Sequence, residues 1–164
     1  MLEFALQHIG SFLEYHMHSI YVPGPLTTQA GCRHAVWVFS ILQYVYPDLT
    51  MTIHGDGVEQ ERIEAWKAGI TFGDAVSIVS ARVPMQELLS EADMVWLPRQ
   101  MDDVPSAAIW AVEYGKPILA SRFPAMQQCL HSYEQVTFLP HDQPPLWATE
   151  MHRLLKNQAL AVAA

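Results

Sequence analysis

Four loops of the chain hold the residues whose types and spacing could do chemistry: residues 24–31, 54–58, 80–84 and 99–106. In the second loop, Gly55 and Gly57 flank Asp56 directly after an apolar run. Glycine lets the backbone approach a ligand or another strand closely, and aspartate can turn back onto its own backbone. Such a turn occurs in tight strand-to-helix connections at least as often as in ligand cradles. The sequence therefore leaves both interpretations open.

The loop at residues 99–106 leads into a predicted helix, whose first amides and dipole could hold an anion. Asp102 and Asp103 lie beside that positive end. Two carboxylates there stabilise the helix by themselves and would oppose a phosphate. On electrostatics alone, acidic capping of the helix is therefore favoured over anion binding.

The histidines offer another kind of chemistry. A strand would put His16 and His18 on one face, but no third ligand accompanies them, so no metal site is expected. His54 precedes the Gly-Asp-Gly turn and is the histidine best placed for a pocket, although a hydrogen-bonded structural role is favoured. The sequence contains no Ser-His-Asp order, G-x-S-x-G elbow or P-loop, and no G-x-G-x-x-G after its first strand. A nicotinamide dinucleotide site is therefore disfavoured.

The charge of the chain argues against several partners. Nine basic residues against seventeen acidic ones give a net charge of −8, which repels polyphosphates and disfavours nucleic acids and anionic membranes. The apolar runs are too short to predict a membrane span, and the first residues lack the features of a signal peptide. Cys32 and Cys129 stand far apart without metal-ligand spacing, which favours reduced thiols and a cytoplasmic location.

Short β-type runs alternate with longer helical stretches along the chain. Strands are predicted at residues 19–22, 51–53, 76–79, 94–97, 118–120 and 136–139. Helices are predicted at residues 33–46, 59–67, 105–114, 124–130 and 144–156, with another that begins at Pro84. This alternation predicts an α/β fold with a doubly wound, mostly parallel six-stranded Rossmann-like sheet covered by helices on both faces. In such sheets ligands collect at the carboxyl ends of the strands, the edge that the four loops build.

Two helical stretches carry further expectations. The helix at residues 33–46 is apolar nearly all round, so it is expected to be buried on most sides. Residues 1–18 are predicted to be a helical extension ahead of one domain at residues 19–164. The apolar residues that recur at helical spacing in this extension are Leu2, Leu6, Ile9 and Leu13. The extension could pack on the domain edge, which we favour, or present a contact surface to a missing partner domain.

Three segments carry a resemblance to a known family: MTIHGDGVEQERIEAW, AVSIVSARVPMQELLSEADMVWLP and DDVPSAAIWAVEYGKPILAS. In this order they resemble the C-terminal half of retaining GT-B glycosyltransferases of the group 1 type, over about residues 21–156. The resemblance implies a Rossmann-like domain that binds a nucleotide-sugar donor. It also implies a separate N-terminal domain that binds the acceptor, with reaction in the cleft between the two.

The first loop departs from the pattern of that family. Gly24 and Gly31 match the family's glycines, but Pro25 and Ala30 stand where an arginine and a lysine usually grip the donor diphosphate. Arg82 or Arg99 could supply a cation from a neighbouring loop instead.

The sequence also departs from the acidic motif of that family. Asp102 keeps a carboxylate at its first acidic position, while Trp110 replaces the second acid, which usually binds the nucleotide ribose. Asp103 replaces an expected glycine, and residues 124–128 replace a glycine-rich stretch that ends in glutamate. Each lost charge-assisted hydrogen bond withdraws roughly 1.5–3 kcal/mol. Two lost cations and one lost ribose acceptor would together weaken the donor by about three to six powers of ten.

The resemblance also implies roles for the candidate residues. Asp102 would orient the transferred sugar rather than act as a general base. Close backbone approach would fall to Gly24, Gly31, Gly55 and Gly57. The base would be bordered by Ser80, Ala81 and Arg82. The phosphates would meet backbone amides at Val104, Pro105 and Ser106. The scheme needs no metal and no cofactor beyond the donor itself.

Two functions follow. The chain is expected to be the donor-binding half of a glycosyltransferase, with the acceptor half supplied by another domain or chain. The alternative is a non-catalytic binding or regulatory domain that kept only the scaffold. In both cases the isolated chain is expected to be inactive. A third idea, an apolar ligand or peptide at the carboxyl edge, rests on Trp110.

Overall fold

The computed structural model describes residues 19–163 and shows a six-stranded sheet in which all strands are parallel. The strands are β1 (Ser19–Pro23), β2 (Thr50–His54), β3 (Val76–Val79), β4 (Met94–Leu97), β5 (Ile118–Ser121) and β6 (Val136–Leu139). The helices are α1 (Cys32–Leu42), α2 (Gln60–Gly69), α3 (Met85–Glu91), α4 (Ser106–Glu113), α5 (Pro124–Leu130) and α6 (Pro144–Ala163), and two short 3₁₀ turns span Thr28–Ala30 and Gly73–Ala75. The predicted fold class is confirmed. The predicted extension at residues 1–18 lies outside the described residues.

The strand order is β3-β2-β1-β4-β5-β6. β1 therefore lies at the centre, where it pairs with β2 from Ser19 opposite Thr50 to Pro23 opposite His54, and with β4 through Tyr21 opposite Val95. The chain builds one half of the sheet outward from β1 and then returns to build the other half from β4. The carboxyl ends of β1 and β4 are thus the topological switch point, where ligands of such sheets bind.

Alternate residues of the central strands enter two separate cores. On one face, Ile20 and Val22 join the cluster formed with α1, α2 and α6. On the other face, Tyr21 and Val95 join the cluster formed with α3, α4 and α5. Because both faces are covered, residues 20–23 of β1 and all residues of β4 are buried, as is typical of parallel sheets.

Helix α1 is shorter than the sequence predicts. It ends at Leu42, whose carbonyl accepts the amides of Val45 and Tyr46 in a closing turn. The expectation that this helix is buried on most sides is confirmed, since seven of its eleven residues are buried, while Trp37 on the remaining side is 59% exposed. Apolar residue types show that a helix face can be buried, but they do not supply the element that would cover it.

Gly31 marks a close approach between the loop after β1 and the end of β4. Its φ is 77°, and a Cβ added there would lie 1.6 Å from the carbonyl oxygen of Pro98. The neighbouring loop is held in place by the amide of Gln100, which donates to the carbonyl of Gln29 at 2.9 Å. Gly31 is therefore required by backbone packing beneath the carboxyl edge.

We expect Gly31→Ala to destabilise the fold by more than about 2 kcal/mol, because it adds a backbone clash to the cost of a left-handed conformation. Urea unfolding would measure the loss. Gly69→Ala is the control, since nothing lies within 4 Å of a Cβ at position 69, at the end of α2. Equal midpoints for the two variants would contradict the packing argument.

His34 lies between α1 and α6. Its ring meets Trp147 edge-on, with ring centroids 5.1 Å apart, and its Nε2 atom is buried without a partner among the described residues. Burial and, to a smaller extent, the nearby His141 lower the pKa of His34, while Asp142 acts in the opposite sense; together they bring it from 6.5 to about 4. The ring is therefore neutral in the folded protein at neutral pH.

The lowered pKa of His34 predicts an acid-sensitive stability. The unfolded chain binds a proton below pH 6.5 and the folded chain only near pH 4, so this contribution is complete above pH 6.5 and is lost toward pH 4. Between pH 7 and pH 5 the loss is about 2 kcal/mol. We expect His34→Leu to reduce the pH dependence of urea unfolding by this amount. His131→Leu, at an exposed site, should leave it unchanged; equal slopes for His34→Leu and the parent would contradict the assignment.

Candidate functional site

A cleft of about 320 Å³ opens at the switch point between the carboxyl ends of β1 and β4. Its floor is formed by Tyr21 and His54, at the ends of the central strands. Its walls are formed by residues of the surrounding loops and helices: Pro23, Gly24, Pro25, Gly55, Asp56, Ala81, Met85, Pro105, Ser106 and Ala107. Parts of all four predicted loops, together with the start of α4, therefore meet in one place.

The loops after β1 and β2 cross at two glycines. The amide of Gly24 donates to the carbonyl of His54 at 2.6 Å, and a Cβ at Gly24 would lie 2.7 Å from that same oxygen. Gly55 adopts a φ of 142° and donates its amide to the carbonyl of Val79 at 2.8 Å. These glycines let backbone approach backbone, and both line the cleft. Gly57 packs behind them, where its Cβ would meet the carbonyl of Leu26 at 2.3 Å.

Two hydrogen bonds at the floor of the cleft determine which ring nitrogen of His54 carries the proton. Nε2 of His54 lies 2.9 Å from the carbonyl oxygen of Val83, which can only accept, so Nε2 carries the proton. Nδ1 then accepts a hydrogen bond from the hydroxyl of Tyr21 at 2.7 Å. Burial raises the pKa of Tyr21 well above its ordinary value, so the hydroxyl remains a donor. His54 thus has the hydrogen-bonded role favoured from the sequence and also faces the cleft.

Asp56 joins the loop after β2 to the loop after β3. Its Oδ2 atom accepts the amide of Ala81 at 3.3 Å and lies 3.4 Å from the hydroxyl of Ser80. Of the predicted trio at this loop, Ala81 forms part of the cleft wall. Ser80 and Arg82 are exposed beside it, and the amide of Arg82 contacts the Ser80 hydroxyl at 3.3 Å.

The first turn of α4 forms the opposite wall. Pro105 precedes the helix and has no amide hydrogen, so the first amides of this wall belong to Ser106 and Ala107. The amide of Ala108 is already bonded to the carbonyl of Pro105 at 2.9 Å. Val104 is partly buried and packs against the core beneath α4. Two of the three residues expected to face the phosphates, Pro105 and Ser106, therefore line the cleft.

The expected replacement cation at Arg99 is engaged elsewhere. Arg99 is 5% exposed, and its guanidinium binds both carboxylate oxygens of Asp103, with 2.7 Å between Nε and Oδ1. Its Nη1 atom is buried without a partner among the described residues. Neither Arg99 nor any lysine lines the cleft, whose titratable residues are Tyr21, His54 and Asp56. The described cleft therefore offers no positive side chain to a diphosphate.

Two further predicted residues lie outside the cleft wall. Oδ1 of Asp102 accepts the amide of Ala125 at 2.8 Å and so caps the first turn of α5. Trp110 projects from the second turn of α4 with 41% of its surface exposed. The exposed ring of Trp110 is compatible with the apolar ligand or peptide expected at this edge.

Sequence reasoning missed several residues of the cleft. Tyr21 was assigned only to a predicted strand, Met85 only to the helix that begins at Pro84, and Ala107 carries no chemical signal at all. Each becomes part of the site because the topology brings its element to the switch point. The pairing of Tyr21 with His54, 33 positions away, has no local signature.

Capping by Asp102 predicts a stability effect. We expect Asp102→Ala to lower the free energy of unfolding by about 1 kcal/mol, because the amide of Ala125 loses its acceptor. Thermal or urea unfolding would measure the change. Glu134→Ala, at an exposed site, is the matched control and should be neutral; equal effects of the two substitutions would show that the cap contributes nothing.

Among residues 19–163, no group of three or more His, Cys, Asp or Glu residues is arranged to hold a metal ion. No helix within the described part of the chain is long and apolar enough to cross a membrane.

Comparisons with known proteins agree with this architecture. A family model described as "Glycosyl transferases group 1" matches residues 18–157. An "Uncharacterized glycosyltransferase" of Haemophilus influenzae is 26% identical over 97 residues, which cover 59% of this chain and 28% of that protein.

Solved structures show the same fold at low identity. WaaG, a glycosyltransferase involved in lipopolysaccharide biosynthesis, is 16% identical with a TM-score of 0.78, covering 98% of this chain and 43% of its own. Anabaena Alr3699/HepE in complex with UDP-glucose is 13% identical with a TM-score of 0.77, covering 93% and 42%. The pneumococcal O-GlcNAc transferase GtfA, in complex with UDP and GlcNAc, is 15% identical with a TM-score of 0.76, covering 85% and 29%.

The chain thus spans less than half the length of each of these relatives. The family match nevertheless covers most of this chain, and the solved structures share its fold. The chain therefore belongs to the group 1 glycosyltransferases, as a Rossmann-like domain of the GT-B type.

Proposed function

We propose that this domain forms the donor side of a glycosyl-transfer site and that the cleft between β1 and β4 receives a nucleotide sugar. The observation that carries the proposal is the cleft itself, about 320 Å³ in volume at the switch point of the sheet. Its position is where dinucleotide and nucleotide ligands of doubly wound sheets bind. The relatives solved with UDP or UDP-glucose supply the donor class.

The described walls suggest how the donor would lie. The amides of Ser106 and Ala107 open an eight-residue helix at the cleft, so the phosphates would lie against this end. The nucleoside would extend toward the loop after β3, where Ala81 forms the wall and Ser80 and Arg82 stand beside it. Gly24 and Gly55 would lie under the donor, because no side chain projects into the cleft from these two positions.

The same walls predict weak binding. The cleft holds the carboxylate of Asp56 and no arginine or lysine, and the charge of Arg99 is already paired with Asp103. A diphosphate would rely on helix amides and neutral donors, which provide about half the strength of charge-assisted bonds. We therefore infer a dissociation constant for UDP- and GDP-sugars of about 1 mM or weaker.

Asp102 would take part only from the rim. One of its carboxylate oxygens caps α5, and the side chain is exposed. In this proposal its other oxygen orients the transferred sugar, while proton transfer falls to groups of the acceptor side. The acceptor side would come from another domain or chain, in keeping with the share of its relatives that this chain spans.

Ligand-observed NMR with UDP-glucose tests the donor site. We expect saturation transfer to the nucleotide with an affinity near 1 mM or weaker, and its loss in Ala81→Trp, which places an indole in the cleft. Ala68→Trp, at an exposed position of α2, is the matched control and should bind as the parent does. Release of UDP, measured in parallel, should stay at the background rate in the absence of an acceptor side.

Each result has a defined meaning. Binding that Ala81→Trp leaves intact would place the donor elsewhere. Absence of binding at about 10 mM donor would remove the donor-site proposal and favour a non-catalytic domain. Micromolar affinity would show that a cation reaches the cleft in solution, contrary to the charge argument.

A further inference from the structure

The number of open backbone amides limits how many phosphate groups the cleft can hold. At the first turn of α4, the amides of Ser106 and Ala107 line the cleft and have no acceptor among the described residues. The next amide, that of Ala108, already donates to the carbonyl of Pro105. Adjacent free amides at the positive end of a helix are suited to one phosphate group. This wall therefore has donors for a single phosphate.

The facing walls add few further donors. The amides of Gly24 and Gly55 donate to carbonyl groups of the neighbouring strands, and the amide of Ala81 donates to the carboxylate of Asp56. A second phosphate that extended beyond the end of α4 would therefore meet donors that are largely engaged. Three residues of the cleft wall have no amide hydrogen at all: Pro23, Pro25 and Pro105.

The charge of the cleft leads to the same limit. The positive end of α4 corresponds to about half an elementary charge, whereas the carboxylate of Asp56 adds a negative charge to the wall. Arg99 is paired with Asp103, and Arg82 is exposed outside the cleft wall. Residues 1–18, outside the described range, contain no arginine or lysine. The cleft can therefore compensate part of the charge of one phosphate and repels a further one.

We propose that the cleft selects a donor whose nucleoside carries one phosphate, so that the leaving group of the transfer is a nucleoside monophosphate. The inference rests on the proposed donor site and deepens it by naming the number of phosphates. The single phosphate would lie against the amides of Ser106 and Ala107, with the nucleoside toward Ala81.

The transfer that follows from this donor is balanced without a further reactant. The acceptor oxygen forms a bond to the anomeric carbon of the sugar and passes its proton to a group of the acceptor side. The bond between the anomeric carbon and the phosphate oxygen breaks, and its electron pair stays on the nucleoside monophosphate. That product has fewer negative charges than a nucleoside diphosphate, which agrees with a cleft without arginine or lysine in its walls.

Titration of the chain with uridine, UMP and UDP tests the inference, because these probes differ only in their phosphates. In ligand-observed NMR at about 0.1 M ionic strength without divalent cations, we expect UMP to bind about three- to tenfold tighter than UDP. UMP should also bind tighter than uridine, because its phosphate gains the amides of α4. Ala81→Trp, which places an indole in the cleft, should abolish the binding of UMP.

Added salt separates repulsion from shape. The screening length falls from about 10 Å at 0.1 M to about 3 Å at 1 M ionic strength. We expect the difference between UMP and UDP to shrink to less than about twofold over this range. A difference that salt leaves unchanged would contradict an electrostatic origin.

Asp56→Asn tests the source of the repulsion. The amide side chain keeps an acceptor for the backbone of Ala81 but removes the charge. We expect this variant to bind UDP about threefold tighter than the parent does, with a smaller gain for UMP. Asp48→Asn is the matched control, since it makes the same change of net charge at an exposed position just before β2, at the amino edge of the sheet. Equal effects of the two variants would contradict the role of Asp56.

The outcomes distinguish this inference from the donor site itself. UDP binding tighter than UMP would overturn the inference and leave the donor site in place; loss of that preference in Arg82→Gln would then identify Arg82 as the cation that reaches the ligand. UMP binding no tighter than uridine would also overturn it, since α4 would then hold no phosphate. Absence of binding by all three probes at about 10 mM would instead remove the donor site, and the inference with it.

Discussion

The hydrogen bonding of β1 to β2 on one side and to β4 on the other sets the position of the candidate site. The chain leaves β1 toward one half of the sheet and leaves β4 toward the other, so the loops above these strands diverge. The space between them is the cleft. Tyr21 and His54 close it from below, and α4 begins at its edge. All other features of the site, including the two glycine crossings, follow from this one arrangement of neighbours.

The cleft combines the switch-point architecture of a parallel sheet with the absence of arginine and lysine from its described walls. Its loops are tied to one another through backbone and carboxylate contacts, above all those of Gly24 with His54 and of Asp56 with Ala81. These ties make a defined shape without using arginine or lysine. An anionic ligand would therefore be held by amides and by fit, while long-range attraction is opposed by the net charge of −8.

Local sequence patterns predicted the bounds of strands and helices better than they predicted the contacts between side chains. The strands at residues 76–79, 94–97 and 136–139 and the helix at 124–130 were predicted with their observed bounds, because flanking turns and prolines mark their ends. The exposure of Trp37 was not predicted, since hydrophobicity does not specify a covering partner. The hydrogen bond between Tyr21 and His54 was also missed. It depends on which strands are neighbours in the sheet, and hydrophobic periodicity does not predict the strand order.

Asp103 illustrates how one carboxylate can couple folding to recognition. The resemblance to the family leads one to expect glycine at this position, where the side chain instead neutralises a guanidinium that is almost wholly shielded from water. Arg99 thus has an internal counter-ion, so its charge does not reach a ligand at the carboxyl edge of the sheet. A substitution at position 103 that frees the charge of Arg99 for a ligand also leaves that charge buried and unpaired in the unliganded protein. Tighter anion capture and lower fold stability would then arise from the same substitution.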